Sequence, residues 1–394
     1  MQQNKRLHNF DNVPESGRWN PELLAKLRTI TDPPADEVIA EFFAQADAPE
    51  PHALFAALLD ERIPGADSDL APVSQHLLQS LADKDPIPPL PDVDFAPAQA
   101  LLRDQGPEIM MMLGGYSLPM AYSAANGAAV LAQTGYLEKR VMRRLVETAQ
   151  LVIDVLQPGG LEPSGNGIRS AREVRLLHAA IRYLIDKKGS WDPEKLGKPI
   201  NQEDLAGTLM VFSAVVLDGF DKLGIDIDKQ TGDSYIQLWR YVGQVMGLVP
   251  ELLPDSQDQA RELTWMIYDS QMGGSTVGCQ LMTSLLSTMK ENMPFAIARQ
   301  LPPSIVRIFM LREAADELRV PRRPVLDFVT RILFRCLALL DHLLLHFGVT
   351  RHFSRWFSRR LIHMLLQMGR GDERRATFEI PLDLHAEWRL TGKK

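Results

Sequence analysis

The sequence predicts an all-α protein with more helices than a simple four-helix bundle. Apolar residues recur at helical spacing along most of the 394-residue chain, and no segment shows the sustained alternation of a strand. Prolines and glycines divide these helical patterns at short intervals. An apolar content of 45% and a charged content of 24% are ordinary for a soluble globular protein with a sizeable core.

The N-terminal portion, residues 1–95, is acidic and repeatedly broken by proline. Its short helical patterns cover residues 20–28, 35–46 and 52–60. The proline-rich stretch 83–99 predicts an extended arm, because proline restricts both its own backbone and that of the preceding residue. We expect this portion to lead into a separate main body.

The main body is predicted to span residues 96–350. Within it, residues 109–137 contain no charged side chain after Ile109, but glycines and a proline interrupt this segment. We therefore reject a membrane span there and expect closely packed helices, which could border a flat ligand. Helical patterns in the main body cover 97–104, 109–125, 127–133, 137–156, 171–186, 201–224, 233–247, 256–291, 305–319 and 324–346.

The C-terminal portion, residues 351–394, is predicted to form an arginine-rich helix and an extended tail. Arg351, Arg355, Arg359 and Arg360 are either a solvated helix face or a docking surface for anionic lipid or an acidic partner.

Net charge, cysteine content and the first residues limit the expected partners and cellular compartment of the protein. A net charge of −7 argues against a general nucleic-acid binder, and two distant cysteines favour a reducing compartment. The first twenty residues lack an apolar core, so we expect no secretion signal. The expected location is cytoplasmic, with peripheral membrane contact through the C-terminal arginines as an option.

One candidate surface lies on the predicted helix 171–186. His178 has Arg175 three residues before it and Arg182 four residues after it, so the three share one helix face among apolar neighbours. Such an imidazole could be the axial ligand of a haem iron, with the two arginines binding the haem propionates. Spacing alone nevertheless favours the plainer interpretation, a core histidine on an amphipathic helix.

A second candidate surface lies on the predicted helix 137–156. Arg144, Glu147 and Thr148 occupy positions i, i+3 and i+4, and together offer a cation, a proton carrier and a hydroxyl group. They could form the distal side of a haem pocket, where arginine and threonine bind dioxygen. Spacing alone again favours a plainer interpretation, an Arg–Glu pair on a wetted helix surface.

The order of these segments carries a resemblance to a known family. The strings are RRLVET (143–148), VIDVLQPGGLEPSGNG (152–167), VRLLHAAIRYLI (174–185) and INQEDLAGTLMVFSAVVLDGFDKLGI (200–225). Together they resemble the family that holds the latex-clearing rubber oxygenases and the fungal oxygenase of the mycophenolic acid pathway, of the MpaB type. The resemblance covers roughly residues 95–350.

This resemblance implies an all-α, globin-like helical core that binds haem b, with additional N- and C-terminal helices. It implies that His178 is the axial iron ligand and that Arg144 and Thr148 lie on the distal side. Characterised members of the family cleave isoprenoid carbon–carbon double bonds with dioxygen. We therefore expect a haem b-dependent oxygenase that uses dioxygen. Its expected substrate is a hydrophobic small molecule, with an isoprenoid-like alkene as the candidate.

The sequence also departs from the rubber-cleaving pattern. Those members carry a lysine between the distal arginine and threonine, where this chain has Glu147, and an acid on the preceding helix, where this chain has none between 109 and 137. Rubber is therefore not the expected substrate, and Glu147 could take over the acid–base role. Two other functions stay open: a haem-binding sensor, storage or electron-transfer protein, and a haem-free helical interaction protein.

Overall fold

The computed structural model describes residues 16–45, 71–133, 141–293 and 298–345. Within these ranges the chain is helical, with one isolated antiparallel bridge between Ala124 and Met272 and no strand. The all-α prediction is confirmed. The predicted helix 52–60 and the predicted C-terminal portion 351–394 lie outside the described residues, as do the side chains of 71–74, 141–144 and 337–345.

The structure describes seventeen α-helices within these ranges. The first nine are α1 (Pro21–Leu27), α2 (Pro33–Phe43), α3 (Ala71–Lys84), α4 (Ala96–Met112), α5 (Leu118–Ser123), α6 (Ala125–Gln133), α7 (Val141–Leu156), α8 (Asn166–Lys188) and α9 (Pro193–Leu196). The next eight are α10 (Gln202–Phe212), α11 (Ala214–Leu223), α12 (Lys229–Val245), α13 (Gln257–Gln271), α14 (Thr276–Glu291), α15 (Pro302–Phe309), α16 (Arg312–Glu317) and α17 (Pro324–Leu345). A π-helical segment, Leu113–Ser117, joins α4 to α5, and 3₁₀ turns cover Pro250–Leu252 and Ala298–Gln300.

Two long helical patterns are each divided in the structure. The pattern 201–224 breaks at Ser213, whose φ of −112° and ψ of −86° are not helical. The pattern 256–291 breaks between α13 and α14, where Ser275 accepts a hydrogen bond from the amide of Gly278 and begins a new helix. Both breaks separate helices of similar apolar content, so helical periodicity alone did not reveal them.

Helix α8 lies at the centre of the site-bearing part of the fold. It packs against α7 and, separately, against α2, while α3 also contacts both α2 and α8. The contact with α2 and α3 forms its own apolar cluster, which includes Ile39, Leu81, Leu176 and Ala180. The acidic N-terminal helices therefore pack directly on the helix that carries His178.

The π-helical segment is tied to α11 by a buried polar cluster. Tyr116 donates a hydrogen bond to Asp218 Oδ2 (2.6 Å), and Lys222 Nζ lies 2.7 Å from the same oxygen. Lys222 also donates to the carbonyl oxygen of Phe309 (2.6 Å). Desolvation by burial, together with Asp218, holds the pKa of Tyr116 well above its ordinary value, so the phenol stays protonated and donates.

We predict that Tyr116→Phe destabilises the protein by about 1–3 kcal/mol, because Asp218 and Lys222 lose a buried hydrogen-bonding partner. The phenyl ring keeps its stacking on Phe309, with ring centroids 5.7 Å apart. Chemical denaturation followed by circular dichroism measures the change. An unfolding curve that coincides with that of the wild type would show that the hydroxyl contributes nothing to stability.

Candidate active site

A cavity of about 290 Å³ lies between the central helices. Its wall is formed by the π-helical segment and by α5, α6, α7, α8, α10, α12 and α13, and most of the lining side chains are apolar. The uncharged segment noted in the sequence contributes to this wall, including Leu113, Ser117, Leu118 and Ala121. A concave apolar space with a few polar groups is typical of a site for a small molecule or a cofactor.

Three of the predicted site residues meet at this cavity. Glu147 and Thr148 of α7 and His178 of α8 all line it, although 30 residues separate Thr148 from His178 (178 − 148). Glu147 is only 4% exposed, so it does not lie on a wetted helix surface. Arg144 lies one turn before Thr148 on α7, and its side chain is outside the described residues.

His178 is a half-buried imidazole that faces the cavity. Desolvation by burial, with the nearby charge of Arg182, lowers its pKa to about 3, so the ring stays neutral throughout the physiological range. Its ring nitrogens make no hydrogen bond to any residue in the described part of the chain. A neutral imidazole with an available lone pair is the form that binds a metal.

Arg175 and Arg182 have different surroundings from those predicted. Arg175 donates to both carboxylate oxygens of Asp32, from Nε (2.6 Å) and Nη2 (2.8 Å), and its Nη1 lies 2.6 Å from Asp85. Arg182 Nε donates to Asp36 (2.6 Å). Neither arginine is among the described residues that line the cavity. The expected propionate partners thus form ion pairs that hold the acidic N-terminal portion against α8.

Asp204 is a cavity residue that the sequence reasoning overlooked. It lies in the first turn of α10, where Asn201 is the N-cap: the Asn201 side chain accepts a hydrogen bond from the Asp204 amide. Its carboxyl group lines the cavity, and desolvation by burial raises its pKa to about 7 against the opposing charge of Arg28. The cap motif explained Asp204 locally, so nothing in the sequence marked it as a cavity residue.

We predict that Asp204 makes stability depend on pH. Its folded-state pKa is raised above the ordinary value of 3.8, so its favourable contribution is complete at low pH and is lost as pH rises through about 7. Between pH 4 and 8 the wild type should lose stability relative to Asp204→Asn, by up to about 4 kcal/mol. Thermal unfolding of both proteins across this range measures the difference, and parallel pH profiles would contradict the prediction.

Comparison with known proteins places this cavity in context. Residues 103–340 match the family model described as the catalytic domain of ER-bound oxygenase mpaB/B' and rubber oxygenase. The chain belongs to the MpaB/rubber oxygenase family. The matched range includes α7, α8, α10 and the whole described cavity wall. The family resemblance predicted from the ordered sequence strings is confirmed.

Two individual relatives of this MpaB/rubber oxygenase family member show how far the similarity extends. The rubber oxygenase of Streptomyces sp. (strain K30) is 24% identical over 186 residues, which are 47% of this chain and 46% of that protein. The match therefore spans about half the length of that relative. The structure of latex clearing protein in its closed state superposes with a TM-score of 0.67 at 21% identity, covering 90% of this chain and 95% of that one. The two proteins share a fold.

Two features of this cavity, one histidine and a mostly apolar wall, are of the kind that a haem pocket uses. The described residues contain no group of three or more side chains that could hold a bare metal ion, and His178 is a single imidazole in an apolar wall. A metal bound there needs a prosthetic group that brings its own ligands. The same described wall contains no arginine or lysine, so the partners of the propionates are not among these residues.

The structure also bears on membrane association. None of the helices in the four described ranges combines the length and the hydropathy that crossing a bilayer requires. The C-terminal arginines that were considered for membrane contact lie beyond residue 345, outside the described residues.

Proposed function

We propose that the protein is a haem b-dependent oxygenase that cleaves a carbon–carbon double bond of a hydrophobic, isoprenoid-like substrate with dioxygen. The observation that supports this proposal most directly is the neutral His178 in the wall of an apolar cavity, whose imidazole makes no hydrogen bond to a described residue. Membership of a family of oxygenase catalytic domains is consistent with it. One molecule of dioxygen and one double bond give two carbonyl groups, so the reaction needs no external reductant.

His178 would hold the iron of haem from one side of the cavity. When bound, haem supplies the redox chemistry that activates dioxygen. Because no hydrogen bond to a described residue engages the imidazole, its orientation is set by the packing of α8 between α7 and α2. The apolar wall excludes water from the reacting atoms, which strengthens every polar interaction inside the cavity.

Glu147 and Thr148 would act on the substrate from the α7 wall of the same cavity. The Thr148 hydroxyl can donate a hydrogen bond, and the carboxyl group of Glu147 can give or take a proton at a carbon or oxygen atom of the substrate. Arg144, one turn away on α7, is proposed to add a positive charge there. The lysine of the rubber-cleaving members cannot supply a carboxylate, so Glu147 distinguishes this chain from them.

An oxygen electrode tests the proposal. Purified protein reconstituted with haem should consume dioxygen when given a linear isoprenoid alkene, and aldehyde or ketone products should appear in a one-to-one ratio of cleaved bond to dioxygen. Tight haem binding without dioxygen uptake would instead indicate the sensor, storage or electron-transfer function. Absence of haem binding would indicate a helical interaction protein.

We predict that Glu147→Gln lowers kcat by about 100-fold or more, because general acid–base catalysis contributes about 10²–10⁴-fold. The substitution keeps the size of the side chain, so the haem content should equal that of the wild type. Rates and haem content are measured on the same preparations. Wild-type turnover by the haem-loaded variant would exclude Glu147 as the proton carrier.

A further inference from the structure

The polar side chains of the cavity wall differ in how fully their hydrogen-bonding capacity is used. Three of them, from the π-helical segment, α10 and α13, are bonded within the protein. Ser117 Oγ donates to the Val211 carbonyl oxygen (2.6 Å), and Thr208 Oγ1 donates to the Asp204 carbonyl oxygen (2.8 Å). Gln271 Nε2 donates to Glu203 Oε2 (2.8 Å), and Gln271 Oε1 accepts from Asn126 Nδ2 (2.9 Å).

The Asp204 carboxylate differs, because it can still accept hydrogen bonds. Its Oδ2 accepts a hydrogen bond from Asn201 Nδ2 (2.8 Å), while among the described residues its Oδ1 has a long contact of 3.5 Å with Arg28 Nη1. That guanidinium nitrogen is bonded at 2.6 Å to Glu203 instead. A carboxylate can accept about four hydrogen bonds, so a carboxylate oxygen with one long contact keeps capacity for a ligand. Oδ1 is therefore the atom of this wall best placed to bind a ligand.

The direction of Oδ1 supports the same conclusion. A methyl group placed on Gly127 of α6 would lie 3.6 Å from Oδ1, and Gly127 is itself a lining residue of the cavity. Oδ1 thus lies close to α6 at Gly127, where both residues line the cavity. The missing side chain at Gly127 leaves space beside Oδ1 for one more atom.

The surrounding charges indicate which ligand group fits. Arg28, which directly follows α1, disfavours a second cation, while Glu203 on α10 and Glu147 on α7 disfavour an anion. A neutral hydroxyl group remains, and it can donate to a carboxylate or accept from a carboxylic acid, so it binds either protonation state of Asp204.

We propose that the cavity binds an apolar chain that ends in a hydroxyl group, and that Asp204 Oδ1 beside Gly127 holds this hydroxyl. The inference rests on the oxygenase function proposed above and specifies its substrate class as an isoprenoid alcohol. The carbon chain lies against the apolar remainder of the wall. Holding one end of the chain fixes which double bond lies near His178, Glu147 and Thr148, and so fixes the site of cleavage.

Asp204 also supports the start of α10, so the experiment must separate binding from structure. The probes are geraniol and its deoxy counterpart, 2,6-dimethylocta-2,6-diene, which differ only in the hydroxyl group. Their affinities are measured by calorimetric titration for the wild type, Asp204→Leu, Asp204→Asn and Gly127→Ala. Thr208→Val is the matched control, because it removes a hydroxyl of the wall that is already bonded within the protein.

We expect Asp204→Leu to weaken geraniol binding by about tenfold or more and to change diene binding by less than about threefold, because only the alcohol loses a buried partner. Asp204→Asn should keep the preference for the alcohol. Gly127→Ala should reduce the preference for the alcohol severalfold, because the new methyl group occupies the space beside Oδ1. This variant tests the proposal even where Asp204→Leu does not fold. Thr208→Val should leave the ratio of the two affinities unchanged.

Three results would overturn the inference: no geraniol binding to the wild type, equal losses for both probes in Asp204→Leu, or an unchanged affinity ratio in Gly127→Ala. A haem absorption spectrum of each preparation, recorded before titration, separates this failure from failure of the proposed function. A wild type without haem contradicts the oxygenase, whereas a haem-loaded protein indifferent to the hydroxyl contradicts only the substrate class.

Discussion

Replacement of His178 by alanine is expected to abolish stable haem binding. The substitution removes the one imidazole in the described cavity wall, and alanine is a strong helix former, so α8 should be retained. Loss of a group that merely orients a metal ligand costs about 10–100-fold in metal affinity, so loss of the ligand itself should cost about 100-fold or more. The measurement is the haem content per chain after gel filtration, for protein reconstituted with excess haem.

His76→Ala is the control for this prediction. His76 is an exposed residue of α3 and lies outside the cavity wall, so its replacement should leave the haem content unchanged. Addition of imidazole to His178→Ala should restore part of the binding, because free imidazole can occupy the space that the side chain leaves. A His178→Ala protein that retains a full complement of haem would remove His178 from the site.

Arg175→Met is expected to destabilise the protein by about 3–5 kcal/mol. Arg175 and Asp32 are both about 3% exposed and form a bidentate ion pair, so removal of the arginine leaves a buried carboxylate without its cation. Asp85, which also contacts Arg175, is 40% exposed and can be solvated. Thermal or chemical unfolding measures the loss.

The double variant Arg175→Met with Asp32→Leu separates the ion pair from the packing. Because both charges are then absent, we expect it to be markedly more stable than Arg175→Met alone. A double variant that is no more stable than the single one would show that the charge left behind is not the cause. A single variant as stable as the wild type would contradict the described attachment of α2 to α8.

Much of the site was predictable because its key residues repeat at helical spacing. Glu147 and Thr148 share a face of α7, His178 lies on the next helix, and the sequence strings around them matched the family pattern in order. Their meeting at one cavity required only that α7 and α8 pack against each other, which a short connection between consecutive helices favours. In the sequence, the family resemblance favoured this interpretation over the plainer ones.

The partners of Arg175 and Arg182 were not predictable in the same way. Asp32 and Asp36 lie 143 and 146 residues away in sequence, and helical spacing carries no information about contacts between distant segments. The acidic character of the N-terminal portion was evident, but nothing in the sequence paired its carboxylates with particular arginines. Its carboxylates in fact neutralise arginines that stand on either side of His178 along α8.

Asp204 and Ser213 were missed for local reasons. Asp204 follows the cap residue Asn201 and was fully explained by the start of a helix, although its side chain turns into the cavity. Ser213 interrupts a strongly apolar pattern without a proline or a glycine. The direction of the Asp204 side chain and the helix break at Ser213 both depend on tertiary packing, which a local sequence pattern does not contain.

The most direct test of the central claim is an absorption spectrum of the wild-type protein expressed with ample haem. The account predicts a Soret band with about one haem per chain, a shift of that band on reduction with dithionite, and a further shift when carbon monoxide binds the reduced iron. Protein that purifies folded but shows no Soret band, and acquires none on reconstitution with haem, would contradict the account.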